Sequence, residues 1–231
     1  MGYWSIESNS TVNEEKPGSK KRHHCLDWLD KQAPNSVIFV SFRSTTSLSD
    51  QEVEEIAIGL EKSEQKFIWV VRDAHKGDVF DGEFRRARLP EGFEERMEKG
   101  RIILRDWAPQ LEILGHLSTG GFMSHCGWNS CIESITMGVP VAAWPMHSDQ
   151  PRNALLLEKV LKIGLIVSDW SRRVELVISV AVENAVRRLE LAEGEEMRRR
   201  VGELSKVVRE SVMDGGACRL EMDSFIAHIR R

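Results

Sequence analysis

The sequence predicts an α/β fold: a doubly wound parallel sheet with helices on both faces. Three observations carry that reading. The apolar runs Val37–Phe42 (VIFVSF), Phe67–Val71 (FIWVV) and Val139–Trp144 (VPVAAW) are continuous rather than alternating, as strands covered on both faces are. Helical patterns lie between such runs, with Val53, Ile56, Ala57 and Leu60 at i, i+3, i+4 and i+7. A strand pattern ending near Met123 and Ser124 turns through HCGWNS straight into a helix pattern. In open α/β sheets ligands bind beyond the carboxyl ends of the strands, and that turn falls at such an end.

The elements follow in order. Residues 1–24 are polar and mixed in charge, with Pro17-Gly18-Ser19 as a loop signal, and are expected to be a lead-in or linker to a domain spanning 25–231. A short helix carries Cys25, Leu26, Trp28 and Leu29, and Pro34-Asn35-Ser36 ends it ahead of the first strand. Ser49 and Glu52 have capping-box spacing at the start of the next helix. After the strand Phe67–Val71, residues 73–90 are rich in Asp, Gly and Arg and are expected to be the longest loop. A short helix Phe93–Lys99 and a strand Ile102–Leu104 follow. Pro109–Leu114 reads as a helix, Gly121–Met123 as a strand, Trp128–Met137 as a helix and Val139–Trp144 as a strand.

Asp149-Gln150-Pro151 opens a further helix, with Asp at the cap and Pro in the first turn. Gly164–Val167 is the last of about six strands. Beyond it the pattern is helical. Ile178, Val182, Ala185, Val186 and Leu189 line one face, Met197, Val201, Leu204 and Val208 a second, and Met222, Phe225, Ile226 and Ile229 a third.

Composition narrows the function classes. The 231-residue chain has a net charge of −4 and a pI near 6.0, which gives no general attraction to nucleic acid or anionic membrane. Four cysteines show neither CxxC pairing nor scaffold density, and no apolar run reaches membrane-spanning length. Residues 1–17 lack the apolar core of a secretory signal, and Ile6 stands where myristoylation needs Ser or Thr. A cytoplasmic protein is expected. His116, His125, Cys126, Cys131 and His147 are close in sequence, yet their spacing fits no zinc pattern, so no metal is expected. There is no GxGxxG and no GxxxxGK[ST], so neither the dinucleotide fingerprint nor the P-loop applies.

Phosphate-binding logic is nonetheless present in His125-Cys126-Gly127-Trp128-Asn129-Ser130, where a strand enters a helix. The first N–H groups of a helix lack intrahelical partners and suit an anion, and Gly127 lets the backbone approach closely. Each residue has a plainer reading. Ser130 and Asn129 could cap the helix, Trp107 could be a core aromatic and His125 a satisfied core histidine. Glu133 could be a first-turn carboxylate favoured by the helix dipole.

The stretch from Trp107 to Gln150 resembles the signature box of the plant UDP-sugar glycosyltransferases. W-A-P-Q, H-C-G-W-N-S-x-x-E and D-Q stand in that order and spacing. The runs CLDWLDKQ, LPEGFEERM and DQPRNA extend the likeness from about His24 to the C-terminus. GGFMSHCGWNSCIES and AAWPMHSDQPRNA look most like the zeatin O-glucosyltransferases within that family.

The resemblance implies a GT-B type enzyme with the chain as its C-terminal, donor-binding half. UDP-sugar would be a substrate rather than a cofactor, and a small plant metabolite the acceptor. His125, Asn129 and Ser130 would hold the diphosphate, Trp107 would stack on uracil, and the Ala108 backbone would pair with the base edge. Gln110 and Glu133 would take the ribose hydroxyls, Asp149 and Gln150 the sugar hydroxyls, with Gln150 pointing to glucose. Ser44, Gly127 and Trp128 complete the implied donor set.

Two departures qualify that picture. No residue matches the family's acceptor pocket or its catalytic His and Asp. Arg43 stands where the family has Gly after the first strand, and is expected to crowd the diphosphate. A non-catalytic or degenerate nucleotide-sugar-binding fragment is the alternative function. An oxidoreductase on a similar sheet is disfavoured by the missing dinucleotide fingerprint.

Overall fold

A computed structural model of the chain describes residues 22–42, 48–71, 74–75, 84–85, 88–97 and 100–230. In chain order the elements are α1 His24–Leu29, β1 Val37–Ser41, α2 Asp50–Ser63 and β2 Lys66–Val70. Next come β3 Ala74–His75, β4 Phe84–Arg85, α3 Phe93–Met97, β5 Ile102–Leu104 and α4 Gln110–Leu114. Then follow β6 Thr119–Ser124, α5 Trp128–Met137, β7 Val141–Ala143, α6 Gln150–Leu155 and β8 Gly164–Ile166. The chain continues through α7 Ser179–Glu190, α8 Ala192–Val212 and α9 Ala217–Ile229.

Six strands form one parallel sheet in the order β5-β2-β1-β6-β7-β8. From β1 the chain steps outward through β2 to β5, then returns to the centre at β6 and steps the other way. The topological switch point therefore lies between β1 and β6.

Every residue of β1 and β6 is buried, because helices cover both faces. Val37 and Phe39 point to one face with Leu26, Ile113, Ile135 and Val201. Ile38 and Val40 point to the other with Ile56, Leu60, Val182 and Leu189. The period of two in a strand splits one continuous apolar run between two cores. Phe39 and Phe122 stack across the central pair at 5.1 Å between ring centres.

Local signals act as expected in α2. Ser49 Oγ accepts from the Glu52 N–H at 3.2 Å, and Glu52 Oε2 accepts from the Ser49 N–H at 2.8 Å. This is a complete capping box. Its buried stripe is Val53, Ile56, Ala57 and Leu60.

Four expectations need correction. The stretch 73–90 is not loop throughout, since Ala74–His75 pairs antiparallel with Phe84–Arg85. Asp149 precedes α6, but its side chain makes no cap bond and its backbone is already helical (φ −81°, ψ −12°), so its carboxylate is free to turn elsewhere. Ile178 precedes α7 and is exposed, while Val182, Ala185, Val186 and Leu189 are buried as the period requires. The apolar face of α9 is not a core face: Met222, Phe225, Ile226 and Ile229 are 56, 61, 37 and 65% exposed, and no residue of α9 is buried. Periodicity shows that such a face exists and not what covers it.

Candidate donor site

The site is built at the carboxyl ends of β1 and β6. After Ser124 the chain turns through His125, Cys126 and Gly127 into α5. His125 is 4% exposed and Cys126 is fully buried. Cys126, rather than Gly127, takes the left-handed conformation, at φ 62°, while Gly127 sits at φ −58°. Such a conformation persists in a residue with a side chain only where its surroundings fix it. Here the Cys126 N–H donates to Ser124 Oγ at 3.2 Å, and its carbonyl accepts from Cys131 Sγ and from Asn153 Nδ2 at 2.9 Å. The hydrogen bond with Cys131, together with burial, pushes the Cys126 thiol well above its ordinary value, so it is an inert, protonated filler of the turn.

Gly127 is the N-cap of α5 and has no side chain to offer the first-turn N–H groups of Trp128, Asn129 and Ser130. The reading of Ser130 and Asn129 as mere caps is thereby overturned. The N-terminus is left with its donors and positive dipole end available to an anion. Trp128 and Asn129 are exposed, and Ser130 is 2% exposed.

Beside this turn stands α4, whose first residue is Gln110. Its Nε2 donates to Glu133 Oε2 and lies 3.5 Å from Ser130 Oγ. Three of the expected residues thus meet in one polar cluster. Glu133 lies in the second turn of α5, so the first-turn dipole reading does not hold.

Trp107 is 66% exposed, in contrast to Trp69 and Trp144 at 1 and 3%, and is no core aromatic. With Ala108, Gln110 and Glu133 it lines a cleft of about 400 Å³ floored by Ser41 and Val70. The Ala108 carbonyl accepts from the Gln110 N–H at 2.9 Å, which pins the loop that carries the indole. His23 meets the Trp107 ring edge-on at 6.3 Å.

Asp149 ends the loop from β7 and Gln150 opens α6, and here the two differ. Asp149 is exposed, with Oδ2 accepting from Asn153 Nδ2 at 2.8 Å. Gln150 is 3% exposed, and its Oε1 accepts from the N–H groups of Met146 and His147 at 2.9 and 3.1 Å. Its amide braces the loop from within. Ser44 and Arg43 lie outside the described residues. Among the described residues no group of three or more His, Cys, Asp or Glu side chains is placed to hold a metal ion. No helix among them is long and apolar enough to cross a membrane.

The sequence profile of the UDP-glucoronosyl and UDP-glucosyl transferase family matches residues 11–213. The chain belongs to this family.

Its family relatives are close. The chain is 59% identical over 225 residues to the zeatin O-glucosyltransferase of Phaseolus lunatus, a match covering 96% of this chain and 49% of the relative. It is 60% identical over 220 residues to the zeatin O-xylosyltransferase of Phaseolus vulgaris, covering 94 and 48%. Among solved structures, a glycosyltransferase from Siraitia grosvenorii in complex with UDP superposes with a TM-score of 0.80 at 37% identity, covering 90% of this chain and 46% of that one. The Phytolacca americana enzyme complexed with UDP-2-fluoroglucose and pterostilbene gives a TM-score of 0.80 at 37% identity, covering 90 and 45%. These neighbours are plant enzymes of the GT-B type, and the doubly wound sheet is of that kind. The chain spans about half the length of the curated relatives it matches.

Sequence reasoning missed two residues of the site. Nothing local marked Cys126 for the left-handed turn. Asn153 carried a weak signal, being four residues after Asp149 and so on the same helical face.

Proposed function

We propose that this chain binds the donor of a UDP-glycosyltransferase that moves a sugar onto a hydroxyl of a small plant metabolite. One observation carries the reading. The exposed indole of Trp107, the Gln110–Ser130–Glu133 cluster and the α5 N-terminus stand side by side at the switch point of the sheet. A flat ring suits a pyrimidine face. A carboxylate accepts two vicinal hydroxyls of a ribose, and Gln110 holds it in place. Helix N–H groups beside His125 suit a diphosphate.

These groups serve the donor side of the transfer alone. In a whole enzyme of the family a base that they do not include takes the acceptor's hydroxyl proton, the oxygen attacks the anomeric carbon with inversion, and UDP departs carrying charge that the α5 N-terminus and His125 stabilise. Asp149 is the residue offered to the sugar hydroxyls. The names of the two bean relatives support zeatin as acceptor and glucose or xylose as sugar. The resemblance at Gln150 favours glucose through a buried amide that shapes the loop carrying Asp149 rather than through contact with the sugar.

Calorimetric titration of the chain with UDP, UDP-glucose, UDP-xylose and CDP tests the proposal. The expected result is saturable binding of the uridine nucleotides, tightest for UDP-glucose among the sugars and weak for CDP. Absence of UDP binding at millimolar concentration would overturn it.

A further inference from the structure

Asn153 lies in the first turns of α6 and is 9% exposed. Its Nδ2 carries two hydrogens, and both are used: one bond goes to the Cys126 carbonyl at 2.9 Å, the other to Asp149 Oδ2 at 2.8 Å. The two acceptors belong to different parts of the site. Cys126 is in the turn that leads into α5, and Asp149 is on the loop that leaves β7. Each needs an outside restraint. Cys126 is held left-handed, and Asp149 is an exposed side chain that would otherwise sample several rotamers.

We propose that Asn153 is a positioning residue that holds the diphosphate-facing turn at Cys126 and the sugar-facing Asp149 carboxylate at a fixed offset from each other. The bridge itself rests on geometry alone, and the naming of its two sides as diphosphate-facing and sugar-facing rests on the function proposed above. A planar amide is suited to this task because it offers two donors from one nitrogen. A carboxylate of the same shape would present acceptors to two acceptors. An apolar side chain of similar size would leave the buried carbonyl with one donor fewer.

The test is Asn153→Asp in the full chain, read in two ways. Without ligand, hydrogen exchange at the amides of Cys126 and Cys131, which donate to Ser124 Oγ and to the Gly127 carbonyl, is expected to quicken. With ligand, affinity for UDP-glucose is expected to fall about tenfold at neutral pH, and more than affinity for UDP, because Asp149 serves only the sugar.

Lowering the pH supplies the discriminating signature. The introduced carboxyl faces Asp149, so it gains a proton more readily than an isolated one. The resulting O–H restores one donor, and binding and protection should partly recover. Among the described residues, His125, His147, Arg152 and the Cys126 and Cys131 thiols are ionisable groups near this bridge, and the unmodified chain over the same pH range controls for them. A residue serving only general stability would lower the melting temperature without that recovery.

Exchange and affinity equal to those of the unmodified chain would overturn the proposal. Where Asn153→Asp does not fold, Asp149→Ala at the exposed end of the bridge replaces it. Quickened exchange confined to the Cys126 turn is then expected, and unchanged exchange there overturns the bridge. Failure of the unmodified chain to bind UDP would sink the donor reading, while the exchange data would still decide the role of Asn153.

Discussion

A methyl group on Gly127 would stand 2.7 Å from Nε2 of His125. Glycine is needed here for the buried imidazole that packs over it, since the backbone at φ −58° is open to any residue. Gly127→Ala is therefore expected to push the His125 ring out of place while leaving the helix start intact. If His125 donates to a phosphate, loss of that charge-assisted bond costs about 1.5–3 kcal/mol, or roughly ten- to a hundredfold in UDP affinity. Calorimetry on a variant with an unchanged circular dichroism spectrum checks this.

Trp107 and Glu133 separate binding from folding. Trp107 is largely exposed, so Trp107→Ala should change stability by no more than about 0.5 kcal/mol. Its loss as a stacking surface should weaken UDP binding by about 1–3 kcal/mol. Glu133→Ala removes the partner of Gln110 and should weaken UDP by about 1.5–3 kcal/mol. Paired thermal melts and UDP titrations check both. A folded Glu133→Ala chain with unaltered affinity would take that carboxylate out of the site.

The thiols make a pH prediction. Cys218 is exposed, whereas Cys25, Cys126 and Cys131 are buried. Burial pushes the Cys25 thiol up to about 11. Because this value is raised, the fold prefers the protonated thiol. Its contribution to stability is whole below the unfolded thiol value of about 8.5 and is lost as pH rises through about 11. Native-state alkylation near about pH 8 should therefore label Cys218 first, as peptide mass spectrometry would read it. Labelling of Cys25 should grow only in the alkaline window between those two values, together with falling stability.

Gly59 tests how closely α2 lies on α7. A Cβ there would meet Val182 Cβ at 2.5 Å and the Ser179 carbonyl oxygen at 2.6 Å. In an exposed helix Gly→Ala adds about 1 kcal/mol of stability. Here the backbone contact should reverse the sign, at a cost of about 1–3 kcal/mol. Chemical denaturation of Gly59→Ala reads that sign directly.

The sequence by itself determined most of the elements, their order and the stretch in which the proposed site lies. Those features are local: apolar runs mark strands buried twice over, Ser49 and Glu52 mark a helix start, and Trp107 to Gln150 is one contiguous stretch. Contacts between elements were decided only in the folded chain. Trp107 and Trp69 are the same residue in sequence, and only the packing of helices on the sheet leaves one in solvent and the other in the core. Gln110 reaches Glu133 because α4 and α5 lie side by side, which no period of a single helix encodes. Likewise α9 shows a helical apolar stripe like that of α7, yet none of it is buried. The strain at Cys126 and the twofold bond of Asn153 arise where the β6 turn meets the α6 start. Hydrophobic period is a property of one segment, whereas burial, strain and pairing belong to two segments at once, and tertiary packing alone brings the two together.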